Sequence, residues 1–231
     1  MALKRAAAAR AIDFVEPGMK VGLGSGSTAD FFTEFLAERI RNGLKITATP
    51  TSEHTAELAR KLAIPLADLN DLEDLDLVVD GADEADFALN LIKGGGGALL
   101  REKIVAASAE RMIVIADESK LRPRLGRFPL PVEVLPFGHK TTLNRIIAAA
   151  ANLGHMELVP VLRRAGGAVY RTDNGNFIYD CPFDEINEPG TLATELSQIT
   201  GVVEHGLFCG MAWILIVAGP EGVRLIERAG V

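Results

Sequence analysis

Apolar positions along the first half of the chain switch repeatedly between a helical period and short continuous runs. Residues 3–15 read as an alanine-rich helix stopped by Pro17-Gly18, and 19–23 form a short buried strand running into Gly24-Ser25-Gly26-Ser27. From Thr28 to Arg41, Phe31, Phe32, Phe35, Leu36 and Ile40 recur at helical spacing, with Gly43 as a stop. Residues 45–49 read as a second strand, after which Ser52 can cap a helix reaching Leu62. A third strand, 75–79, leads into Asp80; a helix over 97–110 follows a run of glycines; a fourth strand, 112–116, ends at Asp117. Strands and helices alternating at this spacing predict βαβ units over a mainly parallel sheet.

Around 123–131 the texture changes to proline and arginine, as at a domain boundary. The pattern beyond it is strand (132–135), helix (141–152), strand (156–162), strand (176–181), helix (191–199) and strand (202–208). That βαββαβ order predicts a ferredoxin-like arrangement, with both helices on one face of a small antiparallel sheet. A strand at 213–217 and a helix at 223–229 would return to the first unit. The expected fold class is α/β: a mainly parallel sheet domain from 1–128 and 206–231, with a smaller α+β lid domain from 129–205.

Composition narrows what such a fold could serve. Of the 231 residues, 24 are lysine or arginine and 31 aspartate or glutamate, a net charge of -7 that argues against a nucleic-acid partner. The acidity is concentrated, since residues 50–90 carry eleven acidic side chains against two basic ones. Cys181 and Cys209, 28 positions apart, indicate neither a disulfide framework nor a structural zinc site, and a reducing, cytoplasmic setting is expected. No secretory leader is expected, because Arg10 and Asp13 interrupt the apolar run of the N-terminus. The longest uncharged apolar run, 211–218, is far too short to span a membrane.

Ligands of open parallel sheets bind beyond the carboxyl ends of the strands, so the residues that follow each strand come first. Gly22-Leu23-Gly24-Ser25-Gly26-Ser27-Thr28 opens a helix and can present backbone N–H groups and hydroxyls to an anion. It fails as a dinucleotide fingerprint, whose third glycine would fall at Ser27, and lacks the lysine of a Walker A loop, so a phosphate monoester fits better. Asp80-Gly81-Ala82-Asp83-Glu84 places three carboxylates in five residues at a strand end, where mutual repulsion calls for hydroxyls, a metal or a proton to serve. Lys93 precedes Gly94-Gly95-Gly96-Gly97, a run tolerated beside a helix where something must approach the main chain closely. Glu102 sits early on the following helix, and Lys120 follows the strand end at Asp117. His54, His139, His155 and His205 are scattered without metal-binding spacing and read as surface or satisfied histidines.

The segments GLGSGSTA, PTSEHTAELA, VVDGADEAD, LIKGGGGALLREKIVA, IADESK, PLPVEVLPF, TDNGNFIYD and GVVEHGLF stand in the order and spacing of the A-type ribose-5-phosphate isomerases. The chain resembles that family from about residue 3 to 218. The resemblance implies a Rossmann-like catalytic domain with a ferredoxin-like lid, and interconversion of ribose 5-phosphate and ribulose 5-phosphate in the pentose phosphate pathway. It implies that Ser25, Gly26, Ser27 and Thr28 line the substrate and its phosphate, and that Asp80, Gly81, Ala82, Asp83, Lys93, Gly94, Gly95 and Gly96 form the sugar pocket. Glu102 would be the catalytic base, Lys120 a further substrate contact, and Lys4 a weaker candidate for the phosphate. By the same resemblance Asp80 and Asp83 would hold sugar hydroxyls, and Lys93 would stabilise an oxyanion. No metal or redox cofactor is implied; the expected partners are a phosphorylated pentose and other copies of the chain, as a homodimer or dimer of dimers, with no nucleic acid and no membrane. The alternative is a sugar-phosphate sensor of related fold without turnover. Such sensors usually carry a helix-turn-helix, for which the 21 residues before Gly22 are too few.

Overall fold

The computed structural model describes residues 1–228. Its central sheet has six strands in the order Thr47–Pro50, Lys20–Leu23, Leu75–Gly81, Ala109–Asp117, Ala212–Gly219, Gly222–Glu227. All neighbours are parallel except the last pair, which is antiparallel. The helices α1 (Ala2–Ala11), α2 (Ser27–Arg41), α3 (Glu53–Lys61) and α4 (Leu99–Ala107) belong to this half of the chain. One apolar core packs Ala7, Ala8 and Ala11 of α1 and Phe32 and Leu36 of α2 against Val21, Leu23, Leu77, Val79, Ile113 and Ile115 of the sheet. A second, containing Val105 of α4, Val78, Met112, Val114 and Leu215, covers the other face. Burial on both faces explains why these strands are continuous apolar runs.

Sheet order fixes where a ligand can enter. From Lys20–Leu23 the chain moves outward to Thr47–Pro50, then crosses back to Leu75–Gly81 on the opposite side of the first strand. The strand order reverses between Leu23 and Gly81, and a crevice opens there beyond the carboxyl ends.

The smaller antiparallel sheet runs Val202–His205, Leu130–Val134, Phe177–Cys181, Val161–Leu162, with α5 (His139–Asn152) and α6 (Pro189–Ser197) between its strands in sequence. Numbered along the chain its order is 4-1-3-2, the ferredoxin-like topology expected from the βαββαβ pattern. Its core of Leu130, Val132, Val134, Ile146, Tyr179, Leu192 and Leu196 is separate from the other two.

Several elements depart from the sequence reading. Residues 223–227, expected as the start of a helix, form a strand hairpinned onto Ala212–Gly219, because the tight turn at Pro220-Glu221 returns the chain along the open edge of that strand; Ala229, the end of that expected helix, lies outside the described residues. The helix expected over 97–110 is confined to Leu99–Ala107: Gly97 has φ +85°, and residues 109–111 are drawn into the sheet by pairing with Leu75 and Leu77. Of the strand expected at 156–162 only Val161–Leu162 pairs, after Pro160, which has no N–H to give. The strand expected at 202–208 divides at Gly206, whose N–H donates to the Pro131 carbonyl and whose own carbonyl accepts from the Lys93 N–H at 2.9 Å. Leu207–Phe208 then joins Leu91–Ile92 and Glu84–Ala85 in a three-stranded sheet that the sequence did not suggest. None of the described helices is long and apolar enough to cross a membrane.

Candidate active site

The crevice at the reversal of strand order is lined by Lys4, Ser25, Gly26, Ser27, Thr28, Gly81, Ala82, Asp83, Lys93, Gly94, Gly96, Glu102 and Lys120. Thirteen of the residues singled out in the sequence, from five separate segments, therefore meet around one cavity. The remaining two lie behind it. Gly95 donates its N–H to Asp83 Oδ2 at 2.7 Å. Asp80, expected to hold sugar hydroxyls, is instead fully buried beneath Lys93, with Oδ1 accepting from the N–H groups of Ser25 at 3.0 Å and Gly81 at 2.7 Å. Gly24 explains how Asp80 fits: a Cβ on Gly24 would overlap the Asp80 carboxylate.

One end of the cavity is built to receive an anion. Gly26, at φ +96°, turns the chain into α2, leaving the first turn of that helix open at Ser27 and Thr28. Lys4 of α1 donates to Ser27 Oγ at 2.8 Å, and Lys120 follows the strand end at Asp117. Beneath the turn, Ser25 Oγ lies 2.8 Å from both Thr51 Oγ1 and Ser52 Oγ and 3.1 Å from Thr55 Oγ1, while Thr55 donates to the Gly24 carbonyl. This knot of buried hydroxyls, from the PTSEHT segment, fixes the loop; the sequence reading assigned those residues no part beyond the Ser52 cap. That cap is present, Ser52 Oγ accepting from Thr55 N–H.

The other end holds three buried ionisable groups, Asp80, Lys93 and Glu102. Lys93 Nζ donates to the Gly81 carbonyl at 2.6 Å and lies 2.9 Å from Asp80 Oδ2 and 3.5 Å from Glu102 Oε1. Burial pushes the Glu102 carboxyl up to about 8, helped by Asp80 and Asp83 and opposed by Lys93. Burial raises Asp80 too, against the pull of Lys93 and the two N–H groups. Burial alone would lower Lys93, but the two carboxylates outweigh it and hold its ammonium above the ordinary value. One ammonium cannot neutralise two buried carboxylates, so the trio keeps an extra proton near neutrality. Asp80 has two N–H donors on Oδ1 and Lys93 at 2.9 Å from Oδ2, whereas Glu102 has Lys93 alone, at 3.5 Å, so the proton is better accommodated on Glu102. A carboxyl so placed can release and recover a proton beside a fixed cation.

Glu84, third carboxylate of the cluster, turns away and accepts from Gly126 N–H and Phe128 N–H, each at 2.8 Å. His205 is buried and its imidazole is pushed down to about 4, first by burial and then by Lys103, so it serves as a neutral packing partner. Missed in the sequence were Arg163 and Tyr170, which reach from the smaller sheet region to the carbonyls of the glycine loop; neither stands in a recognisable pattern.

A helix N-terminus flanked by lysines and a buried carboxyl beside a buried lysine, lining one cavity at the reversal point of a doubly wound sheet, fit the class of α/β enzymes acting on phosphorylated small molecules. Comparison with known proteins makes the assignment particular. Residues 47–222 match the model of the family described as ribose 5-phosphate isomerase A (phosphoriboisomerase A). The ribose-5-phosphate isomerase A of Nitrobacter hamburgensis is 55% identical over 227 residues, 98% of each chain. Among solved structures, ribose 5-phosphate isomerase from Plasmodium falciparum superposes with a TM-score of 0.93 at 37% identity, over 99% of each chain. A D-ribose-5-phosphate isomerase in complex with phospho-erythronic acid superposes at 0.89 with 40% identity, over 97% of each. The chain belongs to the ribose 5-phosphate isomerase A family.

Proposed function

We propose that this chain interconverts D-ribose 5-phosphate and D-ribulose 5-phosphate through an enediolate, the aldose–ketose step of the pentose phosphate pathway, with Glu102 as the base. The observation that carries the assignment is the buried Glu102 carboxyl, 3.5 Å from Lys93 Nζ and with Oε2 unpartnered, whose burial raises it to about 8, near the pH at which a base must exchange its proton. The phosphate sits in the cradle of Ser25 to Thr28 with Lys4 and Lys120. Asp83 and the backbone around Gly81 and Ala82 receive the hydroxyls and assist ring opening; Asp80 acts through Lys93, keeping the ammonium in place. Glu102 takes the proton from C2 of the open aldehyde and returns it to C1. Loss of the C2 proton makes the C1–C2 double bond and moves the carbonyl pair onto O1; the O2 proton passes to O1, and the pair left on O2 forms the C2 carbonyl as C1 is protonated. Charge that develops on the oxygens faces Lys93 and the Gly94 and Gly96 backbone.

The rest of the reading follows the same lines. The chain divides into a catalytic unit, 1–128 with 206–231, and a lid, 129–205, a division supported by the separate core of the smaller sheet. Assembly as a homodimer through that unit is supported by Phe137, Met156, Val159 and Val161, which stand 95%, 75%, 70% and 60% exposed. A cytoplasmic setting is supported by two unpaired cysteines.

The direct test is turnover of ribose 5-phosphate without added metal or cofactor, run also in deuterated water. An enediolate route predicts solvent deuterium at C1 of the ketose. Absence of turnover removes the proposed activity, and loss of activity on chelation points instead to a metal-assisted hydride shift.

A further inference from the structure

The glycine loop is held from the smaller sheet by one guanidinium. Arg163 Nη1 donates to the Gly94 carbonyl at 2.8 Å and to the Gly95 carbonyl at 3.2 Å, while its Nε donates to Asp180 Oδ2 at 3.0 Å and its Nη2 to Asp180 Oδ1. Asp180 thus locks the fork in place, and the Arg163 side chain is only 13% exposed. Tyr170, whose ring lies 5.8 Å from the guanidinium, donates its hydroxyl to the Gly96 carbonyl at 3.2 Å.

A carbonyl and the N–H of the next residue belong to one peptide plane. Fixing the Gly94 carbonyl orients the Gly95 N–H, which holds Asp83. Fixing the Gly95 carbonyl orients the Gly96 N–H, which has no acceptor among the described residues and belongs to a residue lining the cavity. A cationic donor on the carbonyl side also polarises the amide and strengthens its N–H as a donor. Tyr170 acts on the following plane, whose Gly97 N–H is already spent on the Gly94 carbonyl within the turn. From this geometry we infer that Arg163 is a positioning residue for the isomerisation, holding the Gly94-Gly95-Gly96 planes so that the Gly96 N–H meets the charge developing on the substrate oxygen. The inference rests on the proton-transfer reading given above.

A donor needed only when charge develops affects turnover more than substrate binding. Phospho-erythronic acid, the ligand of one solved relative, is a suitable probe, because its carboxylate presents full negative charge where the substrate has a neutral carbonyl. Removal of a whole oxyanion donor costs about 10²–10³ in kcat, and loosening one is expected to cost about 10–100-fold. Arg163→Met should therefore lower kcat by that factor with KM within about threefold, and weaken phospho-erythronic acid, measured by calorimetry, in proportion to kcat. Arg163→Lys keeps the charge but not the fork, and should restore only part of the loss. Tyr170→Phe, which frees the same loop at a plane not facing the substrate, should stay within about threefold of wild type.

Arg163→Met with near wild-type kcat overturns the inference, as does a loss confined to KM or one matched by Tyr170→Phe. If the Met variant does not fold, the Arg163→Lys variant must show the same split between kcat and KM. A wild-type protein without turnover refutes the reaction assigned above, whereas the calorimetric comparison still decides whether Arg163 governs recognition of charge.

Discussion

Replacing Glu102 by glutamine removes its titration and changes almost no volume, so it isolates what the buried carboxyl does. Glu102 is displaced from an ordinary value of 4.5 to about 8, first by burial. Such a displacement corresponds to about 5 kcal/mol between its two protonation states. The sign follows from proton counting: between pH 4.5 and 8 the unfolded carboxyl is ionised while the native one keeps its proton, so wild-type stability falls as pH rises. It falls by about 1.4 kcal/mol per pH unit across that window and levels off above about pH 8. Glu102→Gln escapes this loss. Its stability advantage should grow by about 4 kcal/mol between pH 5 and 8, read as roughly 8–16 °C of relative gain in Tm for a chain of this size. Urea unfolding of both proteins at pH 5, 6.5 and 8 measures it. Over the same range the variant should lose about 10²-fold or more in kcat, and wild-type kcat/KM should rise nearly tenfold per pH unit until about pH 8, as the base ionises. A stability difference that stays flat with pH would show that the carboxyl is not held neutral; near wild-type kcat in a folded Glu102→Gln protein would remove it as the base.

Other substitutions test the supports of the site and the outer surface. Gly24→Ala drives a methyl group into the Asp80 carboxylate, and should cost at least about 2 kcal/mol with a fall in kcat larger than the change in KM, checked by urea unfolding and steady-state kinetics. Glu84→Gln leaves one of the two N–H groups at Gly126 and Phe128 without an acceptor; it should lower stability by about 1–3 kcal/mol while kcat of the folded fraction stays within twofold. Phe137→Glu, at a residue 95% exposed, should convert the proposed dimer to monomer in light scattering, and an unchanged dimer mass would remove Phe137 from that interface.

The parallel sheet was legible because its central strands are buried on both faces and so read as short continuous apolar runs. Its far edge was not: residues 223–227 satisfy helical and strand spacing alike, and only pairing with Ala212–Gly219 decides between them. Gly206 likewise breaks one apparent strand into two because it must serve Pro131 and Lys93 at once, a long-range demand absent from local pattern. At the site, chemistry-bearing residues announced themselves through glycine runs and clustered carboxylates. Their ranking in depth did not: Asp80 and Asp83 are three positions apart, yet one is buried under Lys93 and the other borders the cavity. Arg163 and Asp180, 17 positions apart on paired segments, look in sequence like ordinary surface charges until the sheet sets them beside the glycine loop.

The strand Ala212–Gly219 lies beside Ala109–Asp117 in the central sheet, although the whole ferredoxin-like segment intervenes in the chain. During synthesis the edge of Ala109–Asp117 must therefore wait while about a hundred residues are added, some 5–20 s at about 5–20 residues per second. Throughout that interval an apolar strand with unpaired N–H and C=O groups stands open to other nascent chains. Chains that stall before residue 212 never close it, and they are the ones expected to need chaperones or to aggregate.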